Sequence, residues 1–90
     1  MDNKSVIINS FWCDDVNELS VTARLLFFGL LCFSDAECKF PNRYRIIKLK
    51  IFPADLISRR KIIESLDSLY DKKLITLRDG FLFINMSFFE

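Results

Sequence analysis

Along this chain the apolar positions first recur at helical spacing, and after Lys73 they gather into two short runs joined by Asp79-Gly80. The stretch from Val21 to Phe33 is apolar on nearly every side, and Ser20 stands directly before it. A serine hydroxyl there can accept one of the backbone N–H groups that a first helical turn leaves without a partner. This predicts a helix at the buried centre of the domain. Ahead of it, Asp14, Asp15 and Glu18 suit the start of a short helix electrostatically. Behind it, residues 34–39 read as a loop, and Phe40 and Pro41 as a short extended link. Tyr44, Ile47 and Ile51 then share a helical face at spacings of three and four, and Pro41-Asn42 suits a helix entrance. The alternation of Arg43 and Arg45 with Tyr44 and Ile46 also fits a strand, but the helix is preferred. It ends at Phe52-Pro53, since proline lacks an amide hydrogen and restricts the residue before it.

From Ser58, a second capping serine, Ile62, Ile63, Leu66, Leu69 and Tyr70 fall on one side of a helix that ends near Lys72 and Lys73. Its other side divides into a stripe of Lys61, Ser65, Ser68 and Lys72 and an acidic stripe of Glu64, Asp67 and Asp71. Residues 74–78 and 81–86 are β-prone, and Asp79-Gly80 supplies the two positive-φ positions of a type I′ turn, which predicts a β-hairpin. Burying the apolar faces together requires Leu26, Phe27 and Leu30 to meet Ile63, Leu66 and Tyr70, and also Ile75, Phe83 or Ile84.

Composition narrows the classes. With 90 residues, 51% hydrophobic, 14% aromatic and two each of Gly and Pro, the chain predicts one ordered domain rather than a disordered segment. The expected organisation is a single α+β domain over 1–90, with an N-terminal segment at 1–19, a helical core at 20–73 and a hairpin at 74–86. The longest apolar run, residues 25–33, is roughly half the ~20 residues that a membrane span needs. The N-terminus lacks the small-residue cleavage site of a secretory signal, so a cytoplasmic location is expected. Cys13, Cys32 and Cys38 have no paired spacing and there is no histidine, which supports neither a disulfide framework nor a zinc site. No Gly-rich phosphate loop or nucleophile elbow is present either, so neither an enzyme, a cofactor nor a small-molecule substrate is expected.

Charge changes the picture most. Residues 39–61 hold eight Lys or Arg against one acid, Asp55, whereas residues 1–38 hold two against six and residues 62–90 three against five. The near-neutral total of +1 conceals this asymmetry. Two basic helices separated by a turn suggest contact with duplex DNA. Arg59, Arg60 and Lys61 occupy a first turn, where the helix macrodipole disfavours cations by ~0.3–1 kcal/mol each, a cost that points to a role. These three and Ser65 are expected at the major groove, with Arg43, Arg45 and Lys48 on phosphates. A rival class is a protein-interaction module, suggested by the apolar load and the acidic N-terminal third.

Helix, helix, helix and hairpin in that order is the winged helix-turn-helix plan, with three main helices and a C-terminal β-hairpin wing. Leu19-Ser20, residues 23–27, Gly29-Leu30, the basic helix at 43–50, Phe52-Pro53, Leu66 and Leu69, Leu74-Ile75, and Asp79-Gly80 before Phe83-Ile84 together carry a resemblance. Through them the chain resembles the winged-helix N-terminal domains of phage replication initiators and replisome organisers, which are DnaD-like. The resemblance implies a role in bacteriophage DNA replication initiation or regulation, with a homodimer or a replication protein as further partner. For a wing it also implies that Arg78 reaches the minor groove.

Overall fold

The structure is a computed structural model that describes residues 14–85. Expectations for residues 1–13, among them Cys13, and for residues 86–90, among them the hairpin end at Met86, lie outside the described residues. Those described form a small α+β fold with four helices and a three-stranded antiparallel sheet. In chain order they are α1 (Asp14–Asn17), α2 (Val21–Phe33), β1 (Lys39–Pro41), α3 (Tyr44–Ile51), α4 (Arg59–Asp71), β2 (Ile75–Arg78) and β3 (Phe81–Ile84). The strand order is β1-β3-β2.

The helix boundaries follow from the caps. Ser20 Oγ accepts the Ala23 N–H at 3.2 Å, and Ser58 Oγ accepts the Lys61 N–H at 3.1 Å. The α4 exit is a Schellman turn, in which Leu74 N–H donates to Leu69 O (3.0 Å) and Lys73 N–H to Tyr70 O (2.9 Å), with Lys73 at φ 60°. That turn aims Leu74, fully buried, into the core and launches β2. Across the hairpin Arg78 faces Phe81, leaving Asp79 (φ 53°) and Gly80 (φ 80°) as a two-residue turn with the positive dihedrals that a type I′ turn requires. Residues 39–41, read from sequence as a loop end and an extended link, are instead a paired strand, with Phe40 opposite Leu82 on β3.

Helix α2 is central. Leu26, Phe27, Leu30 and Leu31 are fully buried, together with Ile62 and Leu69 of α4, Ile47 of α3 and Ile75 and Leu82 of the sheet. On its far side Val21, Leu25, Phe28 and Phe33 keep part of their surface exposed. On α4 the buried stripe is Ile62, Ser65, Leu66 and Leu69, at i, i+3, i+4 and i+7. This corrects two expectations. Ile63 is 46% exposed rather than packed, whereas Ser65 is 3% exposed and sits in the seam; Tyr70, partly buried, packs against the core as expected. Its hydroxyl donates to Lys61 O at 2.9 Å, so a polar side chain is buried with its donor satisfied by its own helix. Phe83 lies on the outer face of the sheet, while Ile75 and Ile84 turn inward as expected.

Candidate nucleic-acid interface

Three element starts or turns converge on one side of the fold. Asn42 N–H donates to Gly80 O at 3.0 Å, which ties the hairpin turn to the entrance of α3. Arg43 caps that entrance without a side-chain cap bond, so its guanidinium is free of helix duty and exposed. From the first turn of α4, the Arg59 guanidinium reaches the Tyr44 ring, 5.8 Å from its centroid. This cation–π contact spans the two helices near their N-terminal ends. Between α3, α4 and β2 lies an open cavity of about 350 Å³, with Asn42, Tyr44, Arg59, Asp67, Tyr70 and Leu77 among its walls. Burial, and then the negative charge of Asp67, push the Tyr70 phenol above its ordinary pKa and keep it a neutral donor.

The cations here are poorly neutralised. Of Arg43, Arg45, Lys48, Lys50, Arg59, Arg60 and Lys61, only Arg60 has a carboxylate within 4.0 Å among the described residues, that of Glu64 at 3.2 Å. Lys48 Nζ donates to the Asp55 carbonyl at 3.1 Å, bracing the connection between α3 and α4. Farther along α4, Glu64, Asp67 and Asp71 are exposed, so positive potential is concentrated at its first turn and falls towards its end.

The eight residues singled out from sequence divide into groups. Arg59 reaches the Tyr44 ring from α4, Arg43 is exposed at the start of α3, and Arg45 and Lys48 line a shallow cleft with Tyr44, Leu49 and Pro53. Arg60 and Lys61 are exposed on the first turn of α4, but Lys61 borders a different groove, with Val21, Leu25, Leu56 and Ile57. Ser65 is withdrawn into the core and cannot touch a ligand. The rest of its stripe also serves the fold: Ser68 Oγ donates to Glu64 O, and Lys72 pairs with Glu18 and, at 4.0 Å, with Asp15. The hydrogen bond to Glu18, foremost, holds the Lys72 pKa above its ordinary value. Arg78 lies on the face of the sheet opposite α4, because its neighbour Leu77 is the residue that lines the α4 cavity and side chains alternate along a strand.

No family model, curated protein or solved structure matches this chain. Any functional reading therefore rests on the arrangement of side chains. Among the described residues no group of three or more Cys, Asp or Glu could hold a metal ion, and no helix is long and apolar enough to cross a membrane. The sequence marks Tyr44 and Asn42 as helix positions rather than site residues, and does not single out Lys50. Lys50 was visible in the same basic run, but the Tyr44–Arg59 contact joins residues on different helices and has no local signal.

Proposed function

We propose that this chain is a winged-helix DNA-binding domain of the phage replication-initiation or regulatory type, with α3 and α4 as its helix-turn-helix and β2–β3 as its wing. The observation that carries this reading is the cluster of cations at the starts of α3 and α4, where Arg43, Arg45 and Arg59 have no carboxylate within 4.0 Å among the described residues and Arg59 reaches across to the Tyr44 ring, next to the hairpin turn that Asn42 ties to α3. Duplex DNA is approached by the first turn of α4, through Arg59 and Arg60, while Arg43, Arg45 and Lys48 take phosphates. The acids farther along α4 keep its C-terminal half away from the backbone. In this reading the domain is not an enzyme and needs no cofactor.

The test is a salt titration with labelled duplex. With ~4–6 phosphates neutralised, log K falls against log salt with a slope of about −4 to −5. Arg45→Gln lowers the slope by about 1 and weakens all sequences alike. A flat salt response refutes the proposal. A second reading, a protein-interaction module that pairs with another copy of itself, is favoured by the groove between α2 and residues 55–58. Exposed Val21, Leu25 and the fully exposed Leu56 line it, and contiguous apolar surface of this kind marks interaction sites. Mass in solution across a dilution series tests it, and a monomer at all concentrations refutes self-association.

A further inference from the structure

The outer face of the sheet carries a second, separate arrangement. In the strand register, Lys39 and Pro41 of β1, Phe81 and Phe83 of β3, and Thr76 and Arg78 of β2 share one face, opposite the core-facing Phe40, Ile75, Leu82 and Ile84. Phe81 and Phe83 stand side by side on the central strand, and each is only partly covered. A cation lies over each ring: Lys39 Nζ is 4.9 Å from the Phe81 centroid and the Arg78 guanidinium 4.4 Å from that of Phe83. These six positions include no acid. Glu37, from the preceding loop, pairs with Lys39 at 3.3 Å and is itself largely exposed.

From this geometry we propose that the outer sheet face binds single-stranded DNA without regard to sequence, its bases stacking on Phe81 and Phe83 and its phosphates lying against Lys39 and Arg78. Stacking on aromatic rings with flanking cations is the physical basis of sequence-tolerant single-strand binding, because every base has a π-face. The spacing selects the single strand. Residues two apart on a strand are separated by about 6.6 Å. Bases in a duplex rise ~3.4 Å each along a strand, so only an unstacked strand can lay successive bases on both rings. A flat sheet face also cannot enter a groove as a helix can. Arg78 contributes twice, since its planar guanidinium can itself stack on a base as well as meet a phosphate. Thr76 is the sole neutral hydroxyl on the face, which leaves little to read base edges or a ribose 2′-hydroxyl.

The experiment is fluorescence-anisotropy binding of labelled oligothymidylate, and in parallel of a duplex, to the full chain. Phe83→Leu keeps an apolar side chain but removes the ring. It weakens oligothymidylate binding by about 5-fold or more, the lower end of what one lost stacking partner costs. Lys39→Gln with Arg78→Gln leaves the rings in place, weakens the same binding and flattens its salt slope by about 1.4, at ~0.7 per phosphate contact. Arg45→Gln with Arg59→Gln leaves oligothymidylate binding unchanged, which separates this face from the α3–α4 face. The proposal is overturned if the parent chain does not bind oligothymidylate, or if both the Phe83 and the Lys39/Arg78 variants bind it like the parent. Loss of that binding in the Arg45/Arg59 variant, or tighter binding of oligouridylate than of oligothymidylate, also overturns it.

Discussion

Gly29 sits in the middle of α2, where glycine ordinarily weakens a helix by ~0.8–1.0 kcal/mol relative to alanine, so Gly29→Ala would stabilise an isolated helix. The tertiary structure reverses the sign. A Cβ built on Gly29 falls 2.6 Å from Ile51 Cγ2 and 2.8 Å from Cγ1. Ordinary van der Waals contact begins near 3.4 Å, so α2 and α3 must separate by several tenths of an ångström or Ile51 must leave its seat. Ile51 is β-branched and at the end of α3, so few rotamers are open to it. Overpacking of this kind costs ~1–3 kcal/mol, which outweighs the propensity gain and leaves a net loss of about 1 kcal/mol. In a domain of this size that lowers Tm by ~4–8 °C. Thermal melts followed by circular dichroism read it directly. The cause is checked by a double-mutant cycle, because Ile51→Ala removes all the clashing atoms and in that background Gly29→Ala becomes neutral or stabilising. A Gly29→Ala protein that melts above the parent refutes the close approach of α2 and α3.

Four further outcomes follow from the same packing. Leu66→Ala, in the buried stripe of α4, costs ~2–5 kcal/mol and lowers Tm markedly in a melt, whereas a Tm equal to the parent's would mean that Leu66 does not face α2. Ser65→Ala removes only a hydroxyl that bonds its own helix, so both the melt and any duplex affinity stay close to the parent's; a large loss of duplex affinity would place Ser65 on the proposed DNA-binding face. Gly80→Val meets no neighbouring atom but forces a β-branched residue to φ 80°, and its cost of ~1–2 kcal/mol is read by denaturant unfolding, where no change would refute the turn geometry. Finally, Tyr70 and Lys72 both have pKa values raised in the fold above 10.0 and 10.5, so the stability they contribute is complete below about pH 10 and is lost as pH rises through the raised values. Melts from pH 7 to 11 should show this, and Tyr70→Phe should make the alkaline fall shallower; an equally steep fall would remove Tyr70 from the account.

What could be read from the sequence was what depends on neighbours in the chain. Ser20 and Ser58 as caps, Asp79-Gly80 as a turn and the stop at Phe52-Pro53 are decisions made within a few residues, and each is realised in the structure. The face of α4 was misread because polarity was taken as a guide to exposure. A serine can satisfy its hydroxyl on the carbonyl four residues back, so it can occupy the seam between Ile62 and Leu69, while Ile63 lies about 100° round the helix from Ile62 and stays outside it. That rotation of the helix decides which charges can meet a ligand. It withdraws Ser65, leaves Lys72 pairing with α1 and the loop after it, and turns Arg59 towards Tyr44. β1 was missed for a related reason: three residues carry too little pattern to announce a strand, and its pairing partner, β3, lies some forty residues away. Once β1 is in place, the alternation of side chains separates Arg78 and Lys39 from the α3–α4 cations, because the sheet itself lies between the two sets. A tally of charge along the chain merges Lys39 with the α3–α4 cations and leaves Arg78 among the acids of residues 62–90, and only strand register sets Lys39 and Arg78 on one face, each over an aromatic ring.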